Sequence, residues 1–252
     1  MKAEYLQHMG SDLTVVNAAR VSFDTFREEL TKGDHGLIQF LARGCSSKDW
    51  DNLVDELFAL RAEDGQEAVD SLLKHVKNMP THWTPFSHAM ITIRETVPIF
   101  VARQRFKHMV GFTYNEVSRR YVDDTPLFHV PDEWRSRPEA SIKQGSGKGT
   151  VDFITVDGVQ GSPQAWYENH IQDAINLYDN MIADGVAPEQ ARMILPQSML
   201  TTYWVTGSLY AWANAYIQRS DSHAQQEIQE LAKQWDQIIA PLFPVSWEAL
   251  TR

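Results

Sequence analysis

Between positions 103 and 121 the chain sets Arg103, Arg105, Lys107, Arg119 and Arg120 against one carboxylate, Glu116. That window is net +4, which leaves −14 for the remainder of a chain whose formal charge is −10. A local reversal of sign on this scale asks for an anionic partner. In Tyr114–Tyr121 an extended backbone, with its period of two, would put Glu116, Ser118 and Arg120 on one face. Carboxylate, hydroxyl and guanidinium together can hydrogen-bond a sugar or base and clamp a phosphate, since arginine offers paired charge-assisted bonds. Such bonds contribute about 1.5–3 kcal/mol each when well formed. Spacing alone weighs a nucleotide-type site evenly against a structural network of ion pairs.

Two other stretches carry similar groups. HWTPFSH puts His82, Thr84, Ser87 and His88 in a turn, and RSDSHAQ puts Arg219 at a helix end. Taken singly, a capped turn and a helix-dipole partner explain them. GSGKGT at 145–150 resembles a phosphate-binding loop, but Ile142 stands where the first glycine belongs and no strand and helix flank it. It reads as a surface loop. His82, His88 and His108 match no metal-ligand spacing, so no metal is expected. Cys45 is a lone cysteine that reads as a small hydrophobe, and Trp204, Tyr210, Trp212 and Tyr216 read as helix packing.

The elements that position these residues follow from periodicity. Helices are expected from Asp12 as a cap, over 36–44, 48–63 and 66–78, from Pro98 through PIFVARQRFKHM, and from Ser162-Pro163 to Gly185. PEQARMIL, a long helix over 198–218 and DSHAQQEIQELAKQWDQII make the C-terminal half helical. HAMITIRETV reads as a strand, FTYNEVSRRYV and LFHVP as extended, and 132–163 as a surface insertion with one hairpin. With strands in the middle and helices before and after, the class is α+β, a central, mainly antiparallel sheet flanked by helices.

Composition bounds the function. The 252 residues, 43% hydrophobic and 22% charged, suit one sizeable domain over 1–252. An acidic chain argues against coating nucleic acid. The lone cysteine fits a reducing cytoplasm, and neither a signal peptide nor a membrane span is expected.

Six segments together resemble the flavin-dependent thymidylate synthases. They are AARVSFD (18–24), HWTPF (82–86), PIFVARQ with FKH (98–108), NEVSRRY (115–121), ARMILPQSM (191–199) and RSDSHAQQEI (219–228), in the family's order. Roughly 25–65 and 132–165 look like insertions. The family's Arg-His-Arg, seven residues, Ser appears here as Lys107-His108-Met109, eight residues, Ser118. Ser87 stands where the family commonly has a flavin-contacting glutamate.

The resemblance implies reductive methylation of dUMP to dTMP, with methylenetetrahydrofolate as carbon donor and FAD reduced by NADPH. It implies Gln104, Lys107, Glu116, Ser118, Arg119, Arg120 and Arg192 around dUMP. Ser22, Thr84, His108, Met109, Val110 and Asn214 would contact FAD, with His82 near flavin and folate. Arg219 would favour the anion at uracil N3 and so make C5 nucleophilic, which removes the need for a cysteine thiolate. A homotetramer with shared sites is implied as well. The alternative is a non-catalytic nucleotide- or RNA-binding module that uses the same basic segment.

Overall fold

A computed structural model describes residues 1–60, 65–77, 79, 81–122, 124–138 and 145–252. Four strands form one antiparallel sheet in the order β1 (Lys2–Met9), β2 (Met90–Pro98), β6 (Leu200–Ser208), β3 (Phe112–Glu116). β2 alternates as expected, with Ile91, Ile93, Glu95 and Val97 fully buried on one face. On the other face Thr92 meets Thr206 at 3.0 Å and Thr96 meets Thr202 at 2.9 Å. β2 pairs with β6 from Met90↔Ser208 to Pro98↔Leu200.

The helices α1 (Asp12–Arg20), α2 (Lys32–Ala42), α5 (Ile99–Arg105), α8 (Leu209–Ser220), α9 (Gln226–Ile239) and α10 (Pro244–Thr251) contribute to the core with the sheet. Trp212, Trp235 and Trp247 are its largest buried side chains. α3 (Ser47–Ala59) and α4 (Gly65–Lys77) form the expected pair, while positions 61–63 and 78 of those expected helices lie outside the described residues. No helix among the described residues is long and apolar enough to cross a membrane.

Three expectations are corrected. The helix expected over 198–218 is β6 followed by α8, and the break falls at Ser208, whose Oγ accepts from the Ala211 N–H at 3.2 Å. Residues 201–206, TTYWVT, pack between β2 and β3, and Trp204 stands on the strand rather than in a helical stripe. With β1 at the N-terminus, the strands are therefore not confined to the middle. Asp12 does not cap α1. Ser11 takes that place, and the buried Asp12 carboxylate accepts from Val245 N (2.9 Å) and Ser246 N (2.8 Å), tying α10 to α1.

The insertion carries the expected hairpin, β4 (Ile154–Val156) and β5 (Val159–Gly161), turned at Asp157-Gly158 with both φ positive. Ser162 then caps α6 (Pro163–Ala183) by accepting from Ala165 N. Residues 145–150 run beside 134–137 as a loop, with Ser136 N donating to Gly149 O at 2.7 Å.

Gly207 in the central strand has a packing reason. A Cβ there would meet the Phe112 ring at 2.3 Å and the Trp212 Nε1 at 3.2 Å. Gly207→Ala forces that aromatic layer apart and is expected to destabilise the fold by about 1–3 kcal/mol. A lowered urea midpoint at unchanged m-value checks this.

Candidate active site

The fold separates the five cations of 103–121. α5 ends at Arg105, four residues sooner than the expected helix through Met109, and the chain then turns through 106–111 into β3. Arg105 points into the core, fully buried beside the equally buried Glu95 at 3.4 Å. It belongs to the ion-pair reading, whereas Arg103 and Lys107 stay exposed.

β3 stops at Glu116, and residues after it form a turn in which Tyr121 N donates to Ser118 O at 3.0 Å. The expected single extended face of Glu116, Ser118 and Arg120 is therefore absent. Ser118 instead accepts from Arg120 N at 3.3 Å, and Arg120 swings out to Glu189 at 3.5 Å, half exposed. Glu116↔Tyr203 is the last β3–β6 partnership, and Val117 N makes one more bond to Thr202 O at 2.9 Å before the chain turns away.

A cavity of about 770 Å³ opens where β6 begins and β3 ends. Glu116, Ser118, Arg119 and Arg192 line it, joined by Arg94 and Thr201, which sequence reasoning missed. Thr201 donates its hydroxyl to Glu116 Oε1 at 2.6 Å and so fixes the carboxylate. Arg119 is held by Asp124 at 2.7 Å. Arg192 makes no salt bridge among the described residues. Its charge is available to a ligand, which suits an anion that also offers hydroxyl or amide groups to Glu116 and Ser118. Arg94 was legible as the outward member of a period-two strand, but Thr201 was hidden by the helical reading of β6.

A second cluster lies at the end of α8. Arg219 donates from Nε to His108 Nε2 at 2.8 Å and from Nη2 to the Gln104 carbonyl at 3.0 Å. Both Gln104 and Arg219 line a cavity of about 510 Å³ with Arg135 and His223. Burial first, then the charges of Arg219 and Arg105, pull the His108 pKa down to about 4. The ring is neutral at pH 7, so its Nε2 can accept and its proton sits on Nδ1. Burial, then Arg105, lowers Arg219 as well, although a guanidinium keeps its proton at neutral pH.

The residues expected at the flavin lie along the adjoining surface. Met109 and Val110 are 74% and 93% exposed at the tip of the turn. Gly111 allows that turn to lie against α8: its φ is +78° and a Cβ would come within 2.8 Å of Ala211 Cβ. Its carbonyl accepts from Ser208 N at 3.2 Å. Trp83 stacks on Tyr210 with centroids 5.5 Å apart, which holds the exposed His82 and Thr84 near α8. Asn214 donates to Tyr210 O, and Ser22 is exposed just beyond α1. An exposed apolar tip beside Lys107 and Arg103 fits a flat ring system carrying anionic groups. Cys45 is buried, its thiol pushed up to about 12 by burial and by Asp49, and so offers no thiolate.

The thymidylate synthase complementing protein family (Thy1) matches residues 4–245, and the chain belongs to it. It is an enzyme of the flavin-dependent thymidylate synthase type. The flavin-dependent thymidylate synthase of Thermosipho africanus is 35% identical over 173 residues, 68% of this chain and 72% of that relative. That of Thermotoga neapolitana is 28% identical over 254 residues, 99% of this chain and 90% of the relative. Among solved structures, the UMP/dUMP methylase PolB from Streptomyces cacaoi bound with 5-Br dUMP superposes with a TM-score of 0.65 at 25% identity. The match covers 98% of this chain and 93% of that one.

Proposed function

We propose that this enzyme converts dUMP to dTMP, with methylenetetrahydrofolate as carbon donor and FAD reduced by NADPH. The observation that carries this reading is the setting of Arg219. Its side-chain partners are a neutral imidazole and a carbonyl, not a carboxylate, so its positive charge is left for a ligand. Beside the N3–H of uracil a guanidinium stabilises the ring anion and raises electron density at C5. Arg192 and Arg119 bind the phosphate, while Glu116 and Ser118 orient the sugar and base. When bound, a reduced flavin supplies the hydride that completes the methyl group.

Within one chain Arg192 and Arg219 line different cavities. This supports a site closed by two chains, and we place the protein in the cytoplasm as a single-domain homotetramer with shared sites. The nucleic-acid reading has less support, since Arg105 is internal and Arg119 and Arg120 pair with Asp124 and Glu189.

Anaerobic mixing of protein, FAD and NADPH tests the proposal. Flavin bleaching that changes on adding dUMP, followed by dTMP formation once methylenetetrahydrofolate is present, is expected. Nucleotide binding without any flavin retention would instead favour the binding module.

A further inference from the structure

We infer that Arg105 is a positioning residue: clamped by Glu95 inside the core, it fixes through Tyr114 the turn carrying His108, and through His108 the Arg219 guanidinium. The inference rests on the proposed role of Arg219.

The path is continuous in the structure. Glu95 lies 3.4 Å from Arg105, and Tyr203 donates its hydroxyl to Glu95 Oε2 at 2.6 Å. The guanidinium lies over the rings of Phe112, Trp212 and Trp235, at 4.3, 4.7 and 4.8 Å from their centroids. Its Nη2 is buried with no hydrogen-bond partner among the described residues, so these ring faces are what it meets. Nη1 donates to the Tyr114 hydroxyl at 2.7 Å, and that hydroxyl lies 2.6 Å from the His108 carbonyl. The His108 ring in turn accepts from Arg219.

Stability alone is a poor explanation for this pair. Two charges taken out of water are frequently replaced by apolar side chains of similar volume without loss of stability. The pair supplies direction instead. A guanidinium cannot accept, so the Tyr114 oxygen must accept from Arg105, and the hydroxyl proton is left for carbonyls, that of His108 at 2.6 Å and, at the longer 3.3 Å, that of Arg105 itself. An apolar residue at 105 would remove the donor that sets this direction, leaving the hydroxyl to divide between the His108 and residue-105 carbonyls and weakening its hold on the middle of the turn. Burial pushes Tyr114 up to about 12, so the proton needed for this bond is present throughout the working range. The charged and titratable groups facing His108 are Arg219 from α8, Arg105 from α5 and Tyr114 from β3.

Two variants test the linkage, Tyr114→Phe and the double replacement Glu95→Leu with Arg105→Met. Imidazole 15N titration of His108 and steady-state kinetics with dUMP are the readouts. In both variants the turn loosens, and the His108 midpoint is expected to climb from about 4 toward its ordinary 6.5; the double variant also removes the Arg105 charge that lowers it, so Tyr114→Phe, which keeps that charge, isolates the positioning effect. Turnover is expected to fall about 10- to 100-fold with KM for dUMP little changed, the signature of a misplaced group rather than a lost contact. A His108 titration identical to wild type, or turnover unchanged while the titration moves, overturns the inference. Should the double variant not fold, Tyr114→Phe decides alone, because it removes only one hydroxyl. If the wild-type protein converts no dUMP, the proposed activity fails, and the titration still decides whether Arg105 and Tyr114 position His108.

Discussion

Arg219→Ala is expected to lower dTMP formation by at least about 10²–10³-fold while leaving FAD bound. The expected loss is large because the guanidinium acts where charge develops, and its partial burial reduces the screening that water provides. Flavin retention is expected because the turn bearing Met109 and Val110 has other anchors. Gly111 O accepts from Ser208 N, and Tyr114 OH holds the His108 carbonyl. Arg219→Lys keeps a cation but loses the fork that bonds His108 and Gln104 together, and should recover only part of the activity. Turnover is read as dTMP formed anaerobically, and flavin by its absorbance after gel filtration. Unchanged turnover in Arg219→Ala would remove Arg219 from the chemistry.

Mixing two impaired variants should restore activity. Arg192→Ala removes a cation that makes no salt bridge among the described residues, and is expected to weaken dUMP binding. Arg219→Ala removes the other function, in a different cavity. If each site joins the Arg192 cavity of one chain to the Arg219 cavity of another, random mixed oligomers contain intact sites. About a quarter of the sites in an equal mixture would then draw both halves from unmutated surfaces. Co-expression of the two variants, followed by assay of the purified mixture, checks this. Activity no higher than that of the separate variants would mean that both arginines serve a site within one chain, or that Arg192 serves none. The first outcome would dissolve the argument for shared sites.

What was legible in the sequence was local. Alternation in HAMITIRETV gave β2, the composition of 132–163 marked an insertion with one hairpin, and Ser162-Pro163 marked the start of α6. These signals depend on φ preferences and on which face meets the core, so nearby residues suffice. The six family segments were also legible, and the family match over 4–245 agrees with them. Cys45, read as a small hydrophobe, is buried in the core.

Contacts between distant residues were decided only by the tertiary structure. The segment TTYWVT, read inside a helix by its aromatic spacing, became the central strand because β2 and β3 supply its hydrogen bonds from either side. No local preference shows where those partners will lie. Arg105 and Lys107 look alike as members of one cationic stretch. Glu95, ten residues back on β2, draws the first into an aromatic core, while the second stays in solvent. Asp12 looked like the cap of its own helix and instead holds Val245 and Ser246, over 230 positions away. By itself, then, the sequence determined the family, the local elements and the chemical types gathered at the site. The tertiary structure decided which charges reach a ligand and which are spent inside the core, because burial and pairing are set by whatever the fold brings alongside.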